Sequence, residues 1–258
     1  MYVLRYFMAI CPQRKAKNFR SSTRNGDAGP AGRPLCRGCR ILPGRPKGLT
    51  LLPRRPAARI FSAPTDNFPM APHIIYIDAA YAGTVAFNLT VNFERVLDRR
   101  IAEADLGLWL DCVALDGGQT PDSEAEVWAC FFRDAAEPTL RCFRPSHLAD
   151  EIDGRGFDSR VARFTLLDMA AEAKVSTPAD LMRATIEAHA AEKQVVRQTV
   201  VGELAEWQPM LNEMARRDGA KALTLLAMEE PAGRTAFVCE NLGFSLLKAL
   251  GVRAEELR

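Results

Sequence analysis

The stretch His73-Ile-Ile-Tyr-Ile-Asp78 decides the fold. It is a short and nearly continuous apolar run, which is typical of a strand buried on both faces of a parallel sheet. It ends in a carboxylate, and residues that follow such a strand lie at the carboxyl edge of the sheet, where ligands bind. We therefore predict a first strand over residues 73–78, with Asp78 at its carboxyl end.

Further apolar runs alternate with helical patterns along the chain. Strands are predicted over residues 126–132, 164–169, 195–201 and 223–228, with an edge strand or hairpin over 140–143. A turn is predicted over 79–83, and helices over 86–101, from Asp105 to 116–118, 147–152, from Thr177 to about 191, 206–217 and 236–250. Strands separated by helices favour right-handed crossovers and a mainly parallel sheet. We predict a single α/β domain over residues 71–258, a three-layer sandwich with Rossmann-like topology.

Residues 1–70 differ in composition from the rest of the 258-residue chain. They hold 14 lysines and arginines but two acids, a net charge of +12, and nine of the 16 prolines. Residues 71–258 carry a net charge of −10. A segment so rich in charge, proline and glycine buries too little apolar surface to offset its ordering entropy, so we predict a disordered basic extension.

Four origins of this extension stay open. One is an over-long gene start, with Met70 as the natural first residue. The arginine-rich, acid-poor composition also fits an organelle transit peptide. A basic arm could neutralise nucleic-acid phosphates. Cys36-Arg-Gly-Cys39 has the local spacing of a zinc knuckle but is not followed by a second Cys or His pair.

The sequence has no run of 18 apolar residues, so no membrane-spanning helix is expected. The four cysteines of residues 71–258 are scattered through apolar segments, which indicates reduced, buried thiols rather than disulfides. These two features predict a cytoplasmic protein without membrane partners.

Acidic side chains collect at predicted strand ends and helix starts. Asp78 ends the first strand, and Glu203 and Glu206 follow the fourth. Asp180 opens the helix after the third strand, and Glu187 lies two turns further along it. Several carboxylates at one sheet edge would form an oxygen-ligand site for Mg²⁺ or Mn²⁺. Each acid alone also suits an ordinary role, Asp78 and Asp180 as helix or turn caps and the glutamates as solvated charges.

Two motifs and one turn resemble a NYN domain, a branch of the PIN-like nuclease superfamily. Tyr76-Ile-Asp78-Ala-Ala-Tyr81 is similar to the motif that ends the family's first strand, matching at Asp78. Val200-Val-Gly-Glu203-Leu-Ala-Glu206-Trp-Gln-Pro209 resembles its Ser-Gly-Asp-x-Asp-Phe-x-Pro motif. Asp218-Gly-Ala-Lys221 resembles its Gly-Lys turn.

The resemblance implies a PIN/NYN-like fold and Mg²⁺- or Mn²⁺-dependent cleavage of RNA. Asp78 would be the principal metal ligand, Asp180 and Glu206 further ligands, and Glu203 a ligand or the base that orients water. This chain differs in having Tyr81 at the family's Asn position and in placing Glu203 and Glu206 three residues apart rather than two.

Two rival functions follow from the same residues. One is a non-catalytic interaction domain that keeps the fold without the metal. The other is a Rossmann-like small-molecule enzyme that uses the same crevice, although no Gly-rich dinucleotide or phosphate-binding loop follows the first strand. The start at Ile77-Asp78-Ala-Ala-Tyr81 and the end at Leu242–Gly251 also resemble a bacterial family of unknown function.

Overall fold

The computed structural model describes residues 70–257, apart from residues 123, 173 and 218–220. The described strands are β1 (His73–Asp78), β2 (Ala104–Asp105), β3 (Glu126–Asp134), β4 (Phe143–Arg144), β5 (Gly156–Asp158), β6 (Arg163–Ala171), β7 (Arg197–Val201), β8 (Ala222–Ala227) and β9 (Val238–Asn241). Seven of them form one sheet in the order β5-β6-β3-β1-β7-β8-β9, and β2 and β4 pair separately. Within the seven-stranded sheet all pairs are parallel except that between β5 and β6.

The described residues also form five α-helices. They are α1 (Ala79–Leu97), α2 (Leu106–Asp116), α3 (Pro178–Ala190), α4 (Leu204–Arg217) and α5 (Leu242–Ala249). A π-helical turn spans Leu148–Ile152 and a 3₁₀ turn spans Ala254–Leu257. The fold is therefore α/β, with a mainly parallel sheet flanked by helices.

The central strand β1 sets the two helical layers. Its side chains alternate between the two faces, and Ile74 and Tyr76 belong to one buried cluster with Met182 of α3 and Trp207 of α4. On the opposite face, the end of α2 approaches His73. Helix α5 packs against α2 and α1. These contacts place α3 and α4 on one face of the sheet and the other helices on the second.

The structure confirms most of the predicted strands and corrects several connections. The predicted turn over residues 79–83 is wrong, because α1 begins at Ala79 directly after β1. The predicted helix over 236–250 is β9 followed by the shorter α5. The segment at 140–143 contributes only Phe143 to β4, which lies outside the main sheet. The short strands β5 and β9 were not predicted.

Three predictions fall on residues that are not described. The basic extension over residues 1–70 lies outside the described range apart from Met70, and with it the Cys36–Cys39 pair. The Gly-Lys turn is described only at Lys221. Its ammonium group donates to the backbone carbonyls of His189, Ala190 and Glu192, which follow or end α3.

A buried polar chain links β1, β7 and α3. The Gln198 amide nitrogen donates to the Tyr76 hydroxyl oxygen at 2.9 Å, and that oxygen lies 2.9 Å from Nδ1 of His189. The Tyr76 hydroxyl therefore connects Gln198 to His189. Burial, with a smaller effect from the charge of Lys221, lowers the pKa of His189 to about 4, so the ring is neutral at pH 7.

Trp207 is completely buried and packs against the turn after β7. A Cβ added at Gly202 would lie 2.4 Å from the indole Nε1 and 2.6 Å from Cδ1. No real Cβ tolerates such distances, and a buried indole ring has little freedom to move away. Gly202 is therefore required here by close packing, and it fixes the start of the segment that carries Glu203.

The neutral, buried His189 predicts an acid-dependent loss of stability. Its folded pKa of about 4 lies below the ordinary value of 6.5, so protonation favours the unfolded chain as the pH falls from 6.5 towards 4. His189→Gln keeps an acceptor for Tyr76 and removes the titration. We expect the stability lost between pH 7 and pH 5 to be about 2 kcal/mol smaller in the variant. Urea denaturation at both pH values measures this difference, and an equal loss in parent and variant would contradict the interpretation.

Close packing at Gly202 predicts the effect of a single added methyl group. We expect Gly202→Ala to lower the free energy of unfolding by about 1–3 kcal/mol, the usual cost of overpacking. Gly233→Ala is the matched control, because no atom lies within 4 Å of its added Cβ. Its effect should stay within about 0.5 kcal/mol. Urea denaturation of both variants tests the pair, and similar losses in the two would refute the packing argument.

Candidate functional site

The strand order predicts a crevice at the carboxyl ends of β1 and β7. From β1 the chain continues to β3 and β6 on one side, and then to β7, β8 and β9 on the other. If the six parallel strands are numbered by their order in the chain, they lie across the sheet in the doubly wound order 3-2-1-4-5-6. In sheets of this topology, ligands bind at the point where the order reverses. Asp78 ends β1 and Glu203 follows β7, so the two acids flank this crevice at the carboxyl edge of the sheet.

Asp78 is the N-cap of α1. Its carboxylate oxygen Oδ1 accepts a hydrogen bond from the backbone N–H of Tyr81 at 3.0 Å. Burial raises the pKa of Asp78 above its ordinary value, and the negative charge of Glu203 raises it further, against the lowering effect of backbone hydrogen bonds from Tyr81 and Ala80. The predicted capping role is confirmed, and the carboxylate also lies within electrostatic range of Glu203.

Glu206 lies in the first turn of α4, and the charges of the other acids affect its pKa. Burial raises its pKa, and the charges of Asp78, Glu203 and Asp180 raise it further. Arg183 of α3 opposes this effect, with its Nη2 atom 3.9 Å from Oε1 of Glu206. Asp78, Glu203 and Asp180 are therefore each close enough to Glu206 to raise its pKa, although they come from different parts of the chain.

Asp180 is exposed and takes part in capping α3. Thr177 is the N-cap of α3 and forms a capping box with Asp180. The Thr177 hydroxyl donates to Oδ2 of Asp180 at 2.7 Å, and the backbone N–H of Asp180 donates to that hydroxyl at 3.1 Å. The hydrogen bonds from Thr177 lower the pKa of the exposed Asp180 carboxyl. Glu187, further along α3, is exposed.

Tyr81 has a role at this edge that the sequence did not reveal. Its hydroxyl oxygen accepts a hydrogen bond from the backbone N–H of Met228 at 2.9 Å. The same hydroxyl donates to Oε2 of Glu229 at 3.3 Å. Asn241, the N-cap of α5, donates from its side-chain amide to the carbonyl of Met228 at 3.4 Å. Tyr81, which stands where the resemblance to NYN domains would place an asparagine, therefore holds the segment that follows β8.

Arg183 contributes the positive charge beside the acids. Its guanidinium carbon lies 5.3 Å from the centre of the Trp207 ring, a cation–π arrangement. Trp207 itself is completely buried, so it belongs to the core rather than to an exposed base-stacking surface. The Arg183 side chain is 39% exposed, so it could also reach a ligand in the crevice.

The donor chemistry at the carboxyl edge fits a hard divalent cation. Carboxylate oxygens are the ligands that Mg²⁺ and Mn²⁺ prefer. Within residues 70–257, leaving aside the five that are not described, no three His, Cys, Asp or Glu side chains lie close enough to bind one ion together. Mg²⁺ commonly takes only one or two protein carboxylates and completes its octahedron with water and substrate oxygens. The described acids therefore offer an ion one or two carboxylates at most, and not three.

Comparisons with known proteins narrow the identity of the chain only to a family. No curated protein matches it. Among the described helices, none is both long enough and apolar enough to cross a membrane. A family model described as a family of unknown function, DUF6621, matches residues 67–257, in agreement with the expected family of unknown function. Because this match covers most of the sequence and nearly all of the α/β domain, the chain belongs to the DUF6621 family.

Proposed function

We propose that the crevice between β1 and β7 binds Mg²⁺ or Mn²⁺ and that the protein cleaves phosphodiester bonds in RNA with it. One observation carries the proposal: Asp78 at the end of β1 and Glu206 in the first turn of α4 lie at the same edge of the sheet, where burial, and then the negative charges of neighbouring acids, raise both pKa values. Carboxylates that repel one another in this way are stabilised when a cation lies between them. The choice of RNA rests on the resemblance to NYN domains.

In this proposal Asp78 and Glu206 hold the ion, Asp180 contributes its negative charge nearby, and Asp78 and Glu203 act in catalysis. The cap on α1 fixes the orientation of Asp78, because one carboxylate oxygen is held by the Tyr81 N–H. Asp180 is engaged by Thr177, so it contributes mainly through its charge. A divalent ion bound here would lower the pKa of a water molecule and polarise the phosphodiester.

Glu203 follows Gly202, whose contact with Trp207 fixes the backbone, and it orients water in this scheme. Arg183 is partly exposed beside Glu206 and can pair with a phosphate oxygen once the ion engages that carboxylate. The positive charges of the ion and of Arg183 offset the acidity of the edge, which would otherwise repel RNA.

A second function, a binding domain without catalysis, is favoured by a different observation. Asp78 and Asp180 each have an ordinary capping role, and the described acids include no group of three that could hold an ion together. Such a domain would keep Asp78 for the helix alone. It would show neither stabilisation by Mn²⁺ nor cleavage of RNA.

The metal proposal predicts a specific loss in Asp78→Asn. Asn caps a helix as well as Asp does, so the variant removes the charge and keeps the fold. We expect Mn²⁺ to raise the Tm of the parent but not of the variant, and RNA cleavage to fall at least about 100-fold, the scale of losing a key electrostatic group.

Glu187→Gln is the matched control for this experiment, because Glu187 is an exposed acid on α3 without a role in the proposal. It should behave like the parent in the Tm shift and in cleavage. Equal cleavage by the parent and Asp78→Asn would assign the activity to a contaminant. No cleavage and no Mn²⁺ shift in the parent would favour the binding domain.

Removing the charge of Asp78 should also change stability in the absence of metal. A carboxyl whose pKa is raised on folding destabilises the folded state above that pKa, because the charged form is better solvated in the unfolded chain. We expect Asp78→Asn to have a higher Tm than the parent at pH 7 with a chelator present. The difference should shrink as the pH falls through the raised pKa, below which the parent carboxyl is protonated. A lower Tm of Asp78→Asn at pH 7 would show that capping by the charged form outweighs burial and repulsion.

A further inference from the structure

A pocket lies at the amino edge of the sheet, opposite the carboxylates. Its volume is about 550 Å³, which is within the range of sites for metabolite-sized ligands. It is bounded by the end of α2, by the starts of β7 and β8, and by the segment that leads into β9. Its apolar lining includes Leu115, Leu223, Phe237 and Val238.

Arg197 is the notable charged group in this pocket. Its side chain is half-buried, and within the described part of the chain its guanidinium makes neither a hydrogen bond nor an ion pair. Gly118 lies behind it, since a Cβ added there would be 3.8 Å from Nε of Arg197. Arginine presents a planar set of donors that matches carboxylate and phosphate groups. A partly desolvated arginine without a partner is therefore suited to receive an anion.

The other basic groups nearby are already committed. Lys221 also lines the pocket, but its ammonium group donates to three backbone carbonyls at the end of α3. His73 lies behind Gly117, and burial lowers its pKa to about 4, with a smaller lowering by the charge of Arg197. Its Nε2 is 2.9 Å from the Thr199 hydroxyl, so the ring is a neutral part of the core. Arg197 is left as the group that can bind an anion.

The acids of the pocket limit the kind of anion that fits. Asp116 and Glu240 line it together with Arg197 and Lys221, so the lining carries equal numbers of positive and negative groups. Because these acids repel added negative charge, a ligand with a single anionic group fits the pocket better than one with several anionic groups. The nearly buried Thr224, which also lines the pocket, offers a hydroxyl group. A compact anionic group on an apolar body would pair with Arg197 and place the body against the apolar lining.

We propose that this pocket binds a small organic anion, a carboxylate or a phosphate monoester with an apolar body, with Arg197 as its anion-binding residue. This site is distinct from the carboxyl-edge crevice and does not depend on the metal or on RNA cleavage. The ligand's anionic group would sit at Arg197 beside Gly118, and its body would contact Leu115 and Phe237.

The test uses the full chain with benzoate and phenyl phosphate as probes, in about 0.15 M salt to suppress nonspecific charge effects. Benzamide is the neutral control, because it has the same body as benzoate without the charge. NMR titration should show at least one anion binding with millimolar affinity, as expected for fragments of this size. The amide signals of Gly117 and Gly118 should shift, and benzamide should bind more weakly.

Variants decide whether Arg197 is responsible. Arg197→Met keeps the length of the side chain and should weaken binding about tenfold, the loss of one charge-assisted interaction. Arg197→Lys should recover part of the affinity, and Arg216→Met, an exposed arginine outside the pocket lining, should not change it. A Tm measurement checks that each variant folds. No binding of either anion, equal binding of benzamide, or binding unaffected by Arg197→Met would overturn the proposal. If phenyl phosphate binds and benzoate does not, the ligand class is a phosphate monoester, and the reverse result makes it a carboxylate.

Discussion

The burial of β1 on both faces is the constraint on which the rest of the structure depends. Ile75 and Tyr76 are completely buried, and the strand is paired with β3 on one side and β7 on the other. The chain leaves this strand and enters α1 without an intervening residue, so the first N–H groups of the helix need an acceptor close at hand. Asp78 provides it. Asp78, which accepts a hydrogen bond from the first turn of α1, therefore also places a carboxylate at the point where the strand order reverses.

Placing the Asp78 carboxylate at this position is electrostatically unfavourable, and this connects the fold to the candidate site. Burial raises the pKa of Asp78, and Glu203 adds a second negative charge beside it. Asn or Ser would cap α1 without that charge. The charge of Asp78 is favoured by the positive end of the helix dipole, and the proposed cation would stabilise it further. Arg183 offsets part of the repulsion at Glu206 from 3.9 Å, a distance that leaves both groups able to engage other partners.

The sequence predicted the buried strands well because their signal is local. A run such as 126–132 contains its own evidence of burial, and β3 differs from it only by a short extension to Asp134. The start of α1 was missed because Gly83 suggested a turn. The structure gives that glycine a packing role: a Cβ there would lie 3.1 Å from Cβ of Arg141. Strand β9 was missed because its four residues are partly exposed and include Glu240 and Asn241.

For the candidate site, the positions of the predicted strand ends identified the acids but not the side chains that contact them. The proximity of Asp78 to Glu203 follows from the pairing of β1 with β7, which doubly wound topology predicts. The contacts of Tyr81 with Met228 and of Arg183 with Glu206 join distant parts of the chain, and no local pattern encodes them. The assignment of these acids to a metal or to catalysis stays a prediction.

The two edges of the sheet can be examined independently because of the length of β7. Arg197 begins this strand and Glu203 follows its end, so about six residues separate them. At about 3.3 Å per residue the two side chains attach roughly 20 Å apart, twice the Debye length of about 10 Å in 0.1 M salt. A charge removed at one edge therefore has little direct effect on ion binding at the other. Between the two edges, β7 is held along its whole length by pairing with β1 on one side and β8 on the other, so the strand offers no hinge between them.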